Sequence, residues 1–217
     1  SIANANRKPR KKKEKSVLEV ENLNNLEKER VRIARDLHDN LGAELTLITS
    51  KLDMNAYSEQ NVKNKNDWEE LSGMTRSANN QLRETIWSIN KSKITVEELL
   101  GKIDDYANRL IGDKELEFEK VIHDPTRELM PATALNLFRI AQEILHNAFK
   151  YAQAEKWTLE LSGDSMRISD DGVGFDENGI DKGYGLQNIE ARAKEISFSL
   201  QRSSVEGKGT SYSLSRL

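Results

Sequence analysis

The stretch Glu29-Arg-Val-Arg-Ile-Ala-Arg-Asp-Leu-His-Asp-Asn-Leu-Gly-Ala-Glu-Leu-Thr-Leu-Ile48 decides how the rest of the chain is read. Its apolar residues Ile33, Leu37, Leu41, Leu45 and Ile48, with Leu52 just beyond, recur at steps of four, four, four, three and four, which predicts one stripe along a helix. His38 stands beside that stripe, with Asp39 next to it and Arg35 one turn back, so its imidazole is oriented and still reachable. Imidazole keeps a ring-nitrogen lone pair near neutral pH, which makes His38 a candidate nucleophile. Consecutive helix positions point about 100° apart, so Asp39 is expected to reach round rather than stand beside it. Gly42, one turn further on, costs about 1 kcal/mol of helix propensity relative to alanine, as expected if it clears space for an approaching group.

Upstream, Leu23 and Leu26 extend the seam while Lys28, Glu29, Arg30 and Arg32 keep the other face polar, which reads as a coiled coil entering from Val17. Downstream, Tyr57 to Asp67 reads as a polar connector, after which Trp68, Leu71, Thr75, Ala78, Leu82, Ile86 and Ile89 draw a second stripe. A hairpin with one apolar stripe per helix is too thin to bury its own seam. Two copies pairing into a four-helix bundle, a homodimer, is the expected solution; the competing one packs both stripes onto the C-terminal half of the same chain.

Thr95-Val-Glu-Glu98 predicts a helix start after a short break, with the helix over 96–111. A β-like run follows from Leu116 to Ile122, then a long helix opened by Pro131 and running to about Tyr151. Trp157–Leu161 and Met166–Ser169 read as strands joined across Gly163-Asp164. Leu186–Ile196 is helical, and Phe198–Arg202 and Thr210–Leu214 close as strands. The fold class expected is a dimerising helical hairpin followed by an α+β layer, one mostly antiparallel sheet covered by helices on one face. The boundaries are a basic tail over 1–15, coiled coil and hairpin over 16–92, and the α+β domain over 93–217.

Composition narrows the chemistry. The 217 residues include no cysteine, which removes thiol catalysis, disulfides and thiolate metal sites and fits a reducing, cytoplasmic setting. The chain is 32% charged with a formal net of only -3, so it carries no overall bias toward nucleic acid. No run approaches the roughly 18 to 20 apolar residues that a membrane span requires. The chain begins at Ser1 rather than methionine, which fits a piece of a longer protein. The basic block Arg7-Lys-Pro-Arg-Lys-Lys-Lys-Glu-Lys15 reads equally as a juxtamembrane segment meeting anionic lipid or as a solvated tail. A nucleic-acid patch ranks below both, because no aromatic residue interleaves it.

Four short pieces of the C-terminal half make sense together as a nucleotide pocket. Glu143 and Asn147, four apart on the long helix, offer a carboxylate and an amide oxygen to a hard cation such as Mg²⁺. Asp170-Asp-Gly172-Val-Gly174 ends a strand with a carboxylate and then supplies glycines for a sharp turn close to a ligand. Gly183-Tyr-Gly185-Leu186 is a glycine-rich approach to a helix start, where unpaired N–H groups suit phosphate. Gly207-Lys-Gly209-Thr210 is again glycine-rich and leads into the last strand. Each piece is common; their order and spacing after the Glu-x-x-x-Asn helix is not.

With Arg35-Asp-Leu-His38-Asp39-Asn-Leu-Gly42, these pieces make the chain resemble the sensor histidine kinases, over roughly residues 20 to 217. The branch is the NarL/DesK type, whose phospho-accepting helix reads Leu-His-Asp-x-Leu-Gly and whose ATPase domain has the fold shared with gyrase, Hsp90 and MutL (the GHKL type). The resemblance implies ATP and Mg²⁺ as cofactors, His38 as phosphate acceptor and Asp39 as the acid that orients its ring and takes its proton. It implies Asn147 as the Mg²⁺ ligand with Glu143 beside it, Asp170 as acceptor of the adenine amino group, and Gly172 and Gly174 as the turn beneath the base. Gly183, Gly185, Leu186, Gly209 and Thr210 would surround the phosphates, with a short ATP lid over 176–182. A response-regulator receiver domain is the implied partner, and the implied whole protein is anchored in the inner membrane with this portion in the cytoplasm. Two positions depart from the pattern. A glutamine linked to dephosphorylating the partner often stands five residues after the histidine, where this chain has Ala43, and a histidine often stands where it has Tyr151. The competing functions are a non-catalytic ATP-binding scaffold and a serine kinase with the same ATP site. His146 and His123 read as structural, and no Gly-x-x-x-x-Gly-Lys-Ser/Thr run is present.

Overall fold

The computed structural model describes residues 25–176 and 184–217. The basic tail, the coiled-coil entry from Val17, most of the lid segment and Gly183 lie outside the described residues. The chain divides into two compact units, one ending at Ser92 and one beginning at Lys93.

The first unit is a helical hairpin. Helix α1 (residues 25–36) runs through a π-helical turn, Leu37–Gly42, into α2 (Ala43–Ser58), and α3 (Val62–Ile89) returns along the turn and α2. The polar connector is far shorter than its composition suggests. Asn61 caps α3 by accepting from the backbone N–H of Lys63 at 3.0 Å and of Asn64 at 3.5 Å, so helix starts at Val62 and the polar run to Asp67 is helical. The single stripe also divides. Leu37, Leu45 and Leu52 are half-buried, whereas Ile33, Leu41 and Ile48 are 40–46% exposed on the outer flank. Across the hairpin, Asp53 accepts from the Ser72 hydroxyl at 2.6 Å and from Arg76 at 2.5 Å, and these bonds hold its carboxyl below the usual range.

The second unit is a two-layer α+β domain. Its sheet has the order β2-β4-β5-β7-β6, formed by β2 (Glu117–Ile122), β4 (Lys156–Leu161), β5 (Ser165–Asp170), β7 (Thr210–Arg216) and β6 (Phe198–Ser204). A separate two-stranded ribbon joins β1 (Ile94–Thr95) to β3 (Glu128–Leu129). All pairs in the large sheet are antiparallel except β2 with β4, which is parallel because the crossover between them contains a helix. Alternation fixes the inner face: Trp157, Leu159, Leu161, Met166, Ile168, Tyr212 and Leu214 are buried beneath α4 (Val96–Ile111), α5 (Pro131–Asn147) and α6 (Tyr184–Glu195). Trp157 is fully buried, with its ring edge-on to Phe118 and Phe149 at 6.3 and 6.4 Å. The Arg192 guanidinium donates to the Asn136 side chain at 3.3 Å, linking α6 to α5. The outer face is paved with small hydroxyls. Thr158, Ser169, Ser211 and Ser203 stand in one cross-strand row, and Thr158 and Ser169 share a 2.5 Å hydrogen bond.

Helix α4 starts where expected, on a complete capping box: Thr95 Oγ1 accepts from the Glu98 N–H at 3.2 Å and Glu98 accepts from the Thr95 N–H at 3.0 Å. Thr95→Ala therefore costs about 1 kcal/mol, read as a lower midpoint in urea with an unchanged slope.

Candidate functional site: an exposed imidazole and a cavity in the second unit

His38 lies in the π turn with its side chain 64% exposed. Its Nδ1 is 3.1 Å from Asp39 Oδ1, so the two neighbouring side chains meet. A proton on Nδ1 donated to that carboxylate leaves the Nε2 lone pair facing solvent. Gly42 stands beside an open region: a methyl group there would meet nothing within 4 Å.

The second unit holds a cavity of about 660 Å³ lined by Glu143, Asn147, Asp170, Gly174, Gly185, Leu186 and Thr210, all expected from the sequence, together with others. The Asn147 amide donates to Glu143 Oε1 at 3.4 Å, which leaves its oxygen available as a ligand. Among the described residues no cluster of three or more acidic, histidine or cysteine side chains could enclose a metal ion. One carboxylate and one amide fit instead a Mg²⁺ shared with substrate phosphates and water.

The paired aspartates divide the work. Asp171 Oδ1 accepts from the N–H groups of Glu155 and Lys156, each at 3.0 Å, and so fastens the entry to β4. Asp170 faces the cavity and accepts from the Gly172 and Thr210 N–H groups at 3.0 and 3.3 Å. Burial nonetheless pushes the Asp170 carboxyl above its ordinary range, more than these two bonds lower it. With its folded pKa raised, Asp170 favours the folded domain below its unfolded pKa, and that contribution is lost as pH rises through the folded value. Asp170→Asn is therefore expected to melt higher than wild type at pH 7, the gap closing toward acid. Thermal melts from pH 4 to pH 7 check this.

Three of the glycines are required by contacts inside the protein. At Gly172 a Cβ would collide with the Ala152 carbonyl, at Gly174 with the Val205 carbonyl, and at Gly209 with the Asp170 carbonyl. They let the protein's own backbone segments touch, and this contact shapes the cavity wall. Gly185 removes a collision with Glu143 Oε1, so the start of α6 and its favourable dipole end lie against that carboxylate. Thr210 contributes through its N–H to Asp170 and its hydroxyl to Ser204 at 3.0 Å.

Sequence reasoning missed part of the wall. The long helix does not run to Tyr151 as α-helix: from Ala148 to Ala152 it is a second π turn, ended by Gln153 at φ 51°. The turn brings the Ala152 carbonyl to the Val173 N–H at 2.8 Å. It also places Lys150 and Tyr151 on the cavity, which His146 lines too despite its structural reading. The signal for His146 and Lys150 is their four-residue spacing beside Glu143 and Asn147. His123 is structural, its N–H extending the β2–β4 ladder to Leu161 at 2.8 Å.

Residues 29–93 match the family described as "Histidine kinase", and residues 132–217 match "Histidine kinase-, DNA gyrase B-, and HSP90-like ATPase". Among relatives, a sensor-like histidine kinase of Chloroflexus aurantiacus is 29% identical over 204 residues, covering 87% of this chain and 34% of that protein. Sensor histidine kinase LiaS of Bacillus subtilis is 28% identical over 195 residues, covering 85% of this chain and 53% of that protein. Sensor protein VraS of Staphylococcus saprophyticus is 28% identical over 194 residues, covering 85% and 54%. The chain thus spans between a third and about half the length of these relatives. In fold it is similar to the histidine kinase domain of the Erythrobacter litoralis EL346 blue-light activated kinase, with a TM-score of 0.53 at 16% identity, covering 79% of this chain and 93% of that one. Acinetobacter baumannii AdeS gives 0.50 at 14% identity, covering 79% and 94%. With these two regions matched in that order, the chain carries the two-domain core of a histidine kinase.

Proposed function

We propose that this chain transfers the γ-phosphoryl group of ATP to its own His38 and then to an aspartate on a response-regulator receiver domain. The observation that supports this best is the exposed His38 ring, its Nδ1 held by Asp39 at 3.1 Å, in a chain that also carries the Asp170–Asn147 cavity. The adenine amino group would donate to Asp170, and Asn147 with Glu143 would hold Mg²⁺, which neutralises charge developing on the phosphates. His38 Nε2 attacks phosphorus as the bond to the bridging oxygen breaks and ADP departs with the electron pair. The ring would become cationic, and it sheds its Nδ1 proton to Asp39. Positioning and charge neutralisation supply most of such a rate enhancement.

A homodimer follows from the hairpin's outer flank, where Leu41, Ile48, Met54, Leu71 and Met74 are 45–67% exposed. An apolar row of that length in water is what a second copy would cover. In the full-length protein this portion is cytoplasmic and the remainder anchors it in the inner membrane. Among the described residues no helix is long and apolar enough to cross a membrane. Incubation with γ-labelled ATP and Mg²⁺ tests the central reading. The expected product is protein-bound label that is acid-labile and base-stable; unlabelled protein would indicate a scaffold, and acid-stable label a serine kinase.

A further inference from the structure

From the first described residue to Ser58, only seven residues of the helix that carries His38 are less than fully exposed: Ala34 and Ala56 are buried and, between them, Leu37, Gly42, Leu45, Thr49 and Leu52 are half-buried. Their separations are three, five, three, four, three and four. Steps of three and four hold one face of an α-helix with 3.6 residues per turn, whereas a step of five overshoots by one residue, about 100°. That step, from Leu37 to Gly42, coincides with the π turn, whose i→i+5 hydrogen bonds absorb the surplus residue. The helix therefore carries one residue more than its inner face needs, inserted at His38.

The surplus residue decides which side chain points inward. Counting back from Ala56 through Gly42 in uninterrupted α-helix puts His38 and Arg35 on the inner face. With the π turn, Leu37 and Ala34 take those places and His38 is exposed. We propose that the extra residue positions the acceptor: the π register presents His38, and relaxation to α-helix, by rotating α1 about 100° against α2, withdraws it. The downstream end of the turn is fixed. Thr46 Oγ1 donates to the Gly42 carbonyl at 2.7 Å and accepts from the Asn79 amide of α3 at 3.2 Å, so the rotation falls on α1. Other hydroxyls of the hairpin donate back to helix carbonyls, but Thr46 also receives a donor from the facing helix. The π register is favoured because the alternative turns the Arg35 guanidinium inward. The consequence for phosphoryl transfer rests on His38 being the acceptor, but the register does not.

The absence of cysteine makes the register directly measurable. Alkylation by iodoacetamide is compared in Leu37→Cys and His38→Cys, each in the full chain; the cysteine at 38 reacts faster. Adding Arg35→Leu puts an apolar side chain where the α register needs one, and the ratio of the two rates shifts about tenfold toward position 37. Deleting Asn40 as well restores the original ratio, because the inner face then runs three, four, three, four with no second register available. Deleting Asn40 alone leaves the melting temperature at or above that of wild type, while deleting Ser50, outside the turn, lowers it. A ratio unmoved by Arg35→Leu, a shift that survives deletion of Asn40, or an Asn40 deletion that melts as low as the Ser50 deletion overturns the proposal. These readouts involve no phosphate, so failure of the register and failure of the kinase reading are distinguishable.

Discussion

His38→Gln takes up no label from γ-labelled ATP yet binds ATP as wild type does. Glutamine matches the polarity of histidine and occupies a side-chain position 64% exposed, so the fold is expected to change by no more than about 0.5 kcal/mol. What is lost is the ring nitrogen proposed to form the phosphorus–nitrogen bond. Asn147→Asp is the informative companion. It replaces the amide that donates to Glu143 Oε1 at 3.4 Å by a second carboxylate, so two like charges share the proposed Mg²⁺ position. Labelling is expected to fall ten- to a hundredfold, with His38 untouched. Filter assays on the three proteins in parallel check both, and label persisting on His38→Gln would move the acceptor elsewhere and end the central reading.

Gly209→Ala is expected to be the most damaging single methyl group in the ATPase unit. Gly209 sits at φ 81°, and a Cβ there would collide with the Asp170 carbonyl, a backbone atom that cannot swing aside. The change combines backbone strain with displacement of the strand end that carries Asp170, the carboxylate proposed to meet adenine. A loss of about 3 kcal/mol or more follows, roughly 10 °C in melting temperature, with ATP binding abolished. Gly207→Ala separates the two causes. Gly207 also has positive φ, 73°, but a Cβ there meets nothing within 4 Å. Only the conformational cost of about 1 kcal/mol remains, and nucleotide binding should survive. Equal damage from both substitutions would show that collision with Asp170 is not the deciding factor.

Local signals read well where a residue's task involves its own neighbours. Thr95 and Glu98 mark the start of α4 because both halves of the capping box lie within one turn. Glu143, Asn147, Asp170 and Thr210 converge on one cavity because their elements were identified and the fold class leaves little freedom in stacking them. Reading failed where the partner is remote or the period changes. The parallel pairing of β2 with β4 depends on which strand lies beside which after a crossover, and nothing within either strand encodes it. At Gly172 and Gly209 a sequence shows that the residue is small, but not which backbone segment it lets in. The steps of four from Ile33 to Leu45 drift by about 120° on a uniform α-helix, and the structure divides these residues between two flanks, a drift that a reading based on one fixed period treats as tolerance.

The hydroxyl-paved side of the sheet has a consequence for how the ATPase unit can move. Thr158, Ser169, Ser211 and Ser203 bond to one another or to water equally well, and Ser199 and Ser215 repeat the arrangement with a 2.8 Å contact. Wetting such a surface costs almost nothing, and it offers no greasy ground on which a neighbour could settle. A unit built this way can leave one resting place and take up another without first being peeled off. The proposed delivery of phosphate to His38 and then to a receiver domain would need that freedom.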